Sequence, residues 1–145
     1  MNLKRASHSV YDTCYHFVWC PKFRRDIFKN SEVRGRAEKL IYEIADEYNF
    51  EIFECEVAVE HVHIMLSFAP KYSIGEVVRI LKSIMARSIF REYPELKKRL
   101  WSGELWEDSY FARTVGSKMT SEVIENYIKH HKEERQGPTQ LKFKL

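Results

Sequence analysis

The sequence predicts an α+β fold: a ferredoxin-like or RRM-like antiparallel sheet in the order βαββαβ, helices on one face, and a C-terminal helix that carries a tyrosine. Three observations predict it. Aromatic and β-branched residues alternate with period two around residues 11–20, 51–59, 60–68 and 109–115. Apolar residues recur at helical spacing at about 31–48, 74–93 and 121–135. These segments interleave as strand, helix, strand, strand, helix, strand, helix. A chain of 145 residues holds one ordinary domain, so a single domain over residues 1–145 is expected.

In the first strand Tyr11, Thr13, Tyr15, Phe17 and Trp19 alternate with Asp12, Cys14, His16, Val18 and Cys20, and Pro21 ends it. The loop Lys22-Phe-Arg-Arg-Asp26 follows. Val33, Ala37, Leu40, Ile41, Ile44 and Tyr48 make the apolar stripe of a first helix, with Glu38, Glu43, Asp46 and Glu47 on its other side. The strand from Glu51 to Val59 puts Phe53, Cys55, Val57 and Val59 on one face and mostly glutamates on the other, then turns near Glu60 to pair with the next strand as a hairpin. Ser73 and Glu76 form a capping box for a second helix, whose stripe of Ile74, Val77, Val78, Leu81, Ile84, Met85 and Ile89 runs on until Pro94 and which exposes Arg79, Lys82, Arg87 and Arg91. A charged connector leads to an aromatic stretch, Leu105-Trp106 and 109–115, that reads as a strand bounded by Gly116. The last helix opens near Thr120 or Ser121 and stops before Gly137-Pro138.

The net charge of +3 conceals an asymmetry. Residues 31–60 carry three Lys/Arg against nine Asp/Glu, leaving 21 basic against 12 acidic residues elsewhere, the footprint of a polyanion partner or of an ordinary mixed surface. Cys14, Cys20 and Cys55 lie in apolar runs without Cys-x-x-Cys spacing, which points to reduced, buried thiols and away from a disulfide framework or a thiolate zinc site. The amino terminus lacks an apolar signal segment, and no run of about 18 apolar residues occurs, so a cytoplasmic protein with no membrane partner is expected.

Within Glu60-His-Val-His-Ile-Met-Leu-Ser-Phe68, a strand that turns Val62, Ile64, Leu66 and Phe68 to the core sends His61 and His63 together to the opposite face. Their roots are then roughly 6.5–7 Å apart, close enough for both rings to turn toward one divalent cation. The alternative is two histidines on a solvated strand face. In the last helix Ile124, Tyr127, Ile128 and His131 share one face at i, i+3, i+4 and i+7. By spacing alone Tyr127 is a packing residue, and a nucleophilic role needs more than periodicity.

Four segments occur in a telling order: Tyr15-His-Phe-Val-Trp-Cys-Pro-Lys-Phe-Arg-Arg25, the His-Val-His strand, Leu105-Trp-Glu-Asp-Ser-Tyr-Phe-Ala-Arg-Thr-Val-Gly116, and the Tyr-Ile-Lys-His-His helix. In this order, over residues 11–136, the chain resembles the single-tyrosine HUH transposases of the smallest bacterial and archaeal insertion sequences, the IS200-like group. The resemblance implies an enzyme, a nuclease and strand transferase acting on single-stranded DNA. By motif match His61 and His63 would bind Mg²⁺ or Mn²⁺, and Tyr127 would attack a phosphodiester to leave a 5′-phosphotyrosine. The family commonly has Gln four residues after the tyrosine as a third metal ligand. This chain has His131 there, with His130 as the competing candidate; imidazole is a softer donor than a carboxamide oxygen and shifts preference from Mg²⁺ toward Mn²⁺ or Zn²⁺.

The resemblance also implies recognition of a DNA hairpin and a homodimer whose tyrosine helix can complete the partner's histidine site, a placement the linker 117–119 permits. Lys22, Arg24, Arg25, Lys82 and Arg87 are candidate phosphate contacts, with Phe23 as a stacking face. Three other readings compete: a domesticated relative that nicks repeats, a non-catalytic RRM-like nucleic-acid-binding module, and a metal-dependent hydrolase that uses water as nucleophile.

Overall fold

The structure is a computed structural model that describes residues 4–6, 9–22, 26–100 and 103–116. The chain divides into two compact units, Met1–Thr114 and Val115–Leu145, and the elements below belong to the first. The last helix expected from the sequence, with Tyr127, His130 and His131, lies outside the described residues, as do the linker 117–119 and Phe23, Arg24 and Arg25.

Strands β1 (Lys4–Ala6) and β2 (Ser9–Tyr11) form a small antiparallel pair. The main sheet contains β3 (Tyr15–Trp19), β4 (Glu51–Val57), β5 (Val62–Ser67) and β6 (Phe111–Thr114) in the order β4-β5-β3-β6, with every pairing antiparallel. Helix α1 (Ser31–Tyr48) joins β3 to β4; α2 (Ile74–Glu92) and the short α3 (Pro94–Arg99) lie between β5 and β6. This is the expected βαββαβ arrangement, in which the first and third strands of the motif are the central neighbours.

The helices form where local chemistry starts and stops them. The Asn30 side chain accepts from the Glu32 and Val33 amides, and Asn49 ends α1 in the left-handed region at φ 59°, where an Asn side chain is tolerated. The Ser73–Glu76 capping box is complete in both directions. The apolar stripes of α1 and α2 meet one face of the sheet, burying Phe17, Trp19, Val62, Ile64 and Leu66 against Ala37, Ile41, Val77, Leu81 and Met85. Cys14 and Cys20 are buried free thiols, and Cys55 is half-buried and free; burial pushes the Cys55 thiol up to about 12, with Glu38 and Glu56 adding to the shift.

Several expectations shift in detail. The continuous strand expected over residues 11–20 is divided: Tyr11 ends β2, and β3 begins at Tyr15, where its ladder to both β5 and β6 begins. The Thr13 hydroxyl instead shares a 3.0 Å hydrogen bond with that of Ser67. A register shift between Ile52 and Glu54 removes Phe53 from the ladder, so Ile52, Cys55 and Val57 face the core partners on β5. Val59 is exposed in the turn that the Ala58 amide closes on the His61 carbonyl at 2.8 Å. The charged connector contains α3, with Pro94 in its first turn. Strand β6 is shorter than the aromatic stretch that predicts it, and Trp106 makes an isolated bridge with Pro21.

Candidate active site

The face of the sheet away from α1 and α2 is set by the same alternation that builds the core. Because Phe17, Trp19, Ile64 and Leu66 point inward, His16, Val18, His63 and Met65 point to the other side. Val18 lies opposite His63, and Glu56 flanks His63 from β4. His61 immediately precedes β5.

These histidines are buried. His16, His61 and His63 keep 1%, 3% and 8% of their surface exposed, which excludes the solvated strand face as an account of them. The rings of His16 and His63 meet edge to face with centroids 5.0 Å apart. Neither ring nitrogen of His63, nor Nε2 of His16, has a hydrogen-bond partner among the described residues. Desolvation holds both imidazoles below the ordinary histidine range. His16 is pushed down to about 4, helped by the nearby His63 and Arg113, whereas Glu56 and Glu54 partly oppose the shift of His63.

A neutral imidazole with unsatisfied nitrogens is the form in which histidine binds a borderline divalent cation, so His63 suits one chemically. Among the described residues, no group of three or more His, Cys, Asp and Glu side chains converges as a metal cluster.

The expected phosphate contacts fall into different settings. Arg87 is exposed on α2. Lys82 is half-buried and donates from Nζ to the carbonyls of Glu107 at 2.6 Å and Ser109 at 3.2 Å. Burial lowers its pKa, against the pull of Asp108 and Glu107. Lys22 pairs with Glu104, and its amide donates to the Leu105 carbonyl at 2.7 Å. The Trp106 indole donates to the Lys82 carbonyl at 2.9 Å and packs edge-on to Trp19. Together these contacts fasten the segment before β6 onto α2, leaving a groove of about 710 Å³ whose lining includes Arg79, Arg87, Phe90, Lys97 and Tyr110.

No motif in the sequence marks His16, although the alternation through Tyr15, Phe17 and Trp19 places it on the face opposite the core. The missing information was register: only the pairing of Val18 with His63 brings the His16 ring to the histidine strand.

Comparison with known proteins places the chain. The family model for IS200-like transposases matches residues 9–131. The transposase TnpA of ISDra2 from Deinococcus radiodurans is 37% identical over 135 residues, covering 92% of this chain and 95% of that protein. The transposase of insertion sequence IS200 from Salmonella typhimurium is 31% identical over 138 residues, 95% of this chain and 89% of that one. Among solved structures, a protein from Deinococcus radiodurans R1 assigned as a transposase superposes with a TM-score of 0.73 at 32% identity, covering 87% of this chain and 95% of that chain. A REP-associated tyrosine transposase bound to a REP hairpin shares the fold, with a TM-score of 0.55 at 13% identity over 90% of this chain and 73% of that chain. The chain belongs to the IS200-like transposase family, whose class of activity is the cleavage and transfer of DNA strands.

Proposed function

We propose that this protein cleaves and rejoins single-stranded DNA at insertion-sequence ends by transesterification through Tyr127, using a divalent cation, Mg²⁺ or Mn²⁺, held by His61, His63 and His131. The observation that carries this reading is the buried His63, two residues from His61 and without a hydrogen-bond partner at either ring nitrogen among the described residues, in a chain of transposase family. A cation held there supplies charge neutralisation at the non-bridging oxygens of the scissile phosphate.

The Tyr127 hydroxyl attacks phosphorus, the bond to the 3′-oxygen breaks, and the phenolic proton passes to a base or water. A phenol with a reference pKa of about 10 needs that help at neutral pH. The products are a 5′-phosphotyrosine and a free 3′-hydroxyl. One phosphodiester replaces another, so a 3′-hydroxyl can attack the phosphotyrosine, regenerate the phenol and join strands without a nucleotide cofactor.

Arg24, Arg25 and Arg87 are the proposed phosphate contacts; Lys22 and Lys82, with their partners inside the fold, contribute less. A DNA hairpin is the recognised shape, in keeping with the hairpin bound by the solved REP-associated member of the fold. We take residues 1–145 as one transposase domain acting in the cytoplasm as a homodimer, with the tyrosine helix free to serve either subunit's histidines. Among the described residues, no helix is long and apolar enough to cross a membrane.

Incubation of the protein with single-stranded DNA carrying the element's ends and Mn²⁺, followed by denaturation, tests this reading. A covalent protein–DNA adduct is expected, lost in Tyr127→Phe. In His61→Ala, cleavage should fall at least 100-fold with hairpin binding retained. Undiminished adduct in the Phe variant removes Tyr127 from the mechanism; free DNA ends with no adduct indicate a hydrolase, and an intact strand a binding module.

A further inference from the structure

We infer that His16 is a positioning residue of the cation site, acting on its chemistry through Nε2 without itself ligating the metal. The inference rests on the reading of His61 and His63 as cation ligands.

Three observations carry it. His16 is 1% exposed, so its imidazole is as deeply placed as core residues. A buried ring nitrogen left without a partner costs on the order of 1–3 kcal/mol, a penalty that Phe or Leu in the same place would not incur. Among the described residues, Nε2 of His16 is such an atom. Its neighbour is not arbitrary: the ring lies edge to face with His63, centroids 5.0 Å apart, on the same face of the sheet. A buried polar atom beside a candidate metal ligand has its natural partner in what arrives with the metal, such as a bound water or a phosphate oxygen.

Direct ligation is the less favoured role. Among the described residues, His16, His61 and His63 do not converge as a three-donor cluster, although two of their rings touch. A hydrogen bond from the outer shell asks for proximity to the site and not for convergence on the ion. The ring contact adds a second effect, because packing against His16 restricts how the His63 imidazole can rotate.

The test is calorimetric titration of Mn²⁺ into the full-length protein without DNA, comparing wild type, His16→Phe, His16→Gln and His61→Ala, with thermal melts on each. His16→Phe keeps an aromatic ring and removes both nitrogens; it is expected to melt close to wild type and bind Mn²⁺ about tenfold more weakly. His16→Gln restores a polar group and should recover part of that loss. Mn²⁺ affinity within twofold of wild type in His16→Phe, with His61→Ala deficient, overturns the role of His16 alone. Unchanged affinity in His61→Ala, or no binding by wild type, overturns the site and this inference together. If the Phe variant does not fold, His16→Leu against His16→Gln makes the same comparison: equal affinities in these two overturn the inference, and tighter binding by the Gln variant supports it.

Discussion

Imidazoles held neutral by burial make the fold sensitive to acid. The unfolded chain protonates His16 near its ordinary pKa of about 6.5, whereas the folded chain resists until about 4. Between those values the unfolded state binds more protons, so stability falls as pH falls through this window and is fully retained above it. His63, also lowered, contributes with the same sign. The loss attached to His16 is on the order of 3 kcal/mol by pH 4. Urea denaturation in EDTA at pH 7 and pH 4.5 checks it. In His16→Phe the drop between these two pH values should be clearly smaller, and an equal drop would assign the acid sensitivity to other groups.

Helices and strands were legible in the sequence to different degrees, for physical reasons. Helix α1 and the start of α2 match the expected boundaries because their signals are local: side chains at Asn30 and Ser73 satisfy amides two or three residues away. Replacing Ser73 with Ala should cost about 1 kcal/mol, read as a lower midpoint in thermal or urea unfolding, with cleavage at moderate temperature unaffected. Strand limits depend on partners remote in sequence. The break between β2 and β3, the register shift in β4 and the short β6 are set by where β5 and β3 offer a ladder, which periodicity does not encode.

The placement of His63 on the face away from the core was legible because alternation within one strand is local, whereas the approach of His16 required the cross-strand register. Lys82 teaches a similar lesson. Helical spacing marks it as an outward cation, but the segment before β6 returns to α2 and caps its ammonium with two carbonyls. Accordingly, Lys82→Met should lower stability by about 2 kcal/mol and change the salt dependence of DNA binding less than Arg87→Ala does, as unfolding and anisotropy titrations would show.

For the molecule as a whole, the acidic residues are concentrated in the stretch 31–60, and the basic excess lies elsewhere, with Arg79, Arg87 and Lys97 on the groove beside α2. Binding of single-stranded DNA should therefore weaken steeply with salt. Arg87→Ala is expected to lower affinity several-fold and reduce the slope of log K against log salt by about 0.7, the value for one phosphate on a single strand. Fluorescence anisotropy over a NaCl series measures both; an unchanged slope would place Arg87 off the DNA path.

The central claim is chemical: a tyrosine of this chain exchanges one phosphodiester for another beside a histidine-held cation. Its most direct measurement is mass spectrometry of the trapped reaction, with the protein incubated with single-stranded DNA and Mn²⁺, then digested by protease and nuclease. The account predicts a nucleotide joined through its 5′-phosphate to the peptide containing Tyr127, and no such peptide in His63→Ala. An adduct on another residue, or cleaved DNA with no modified peptide, would contradict it.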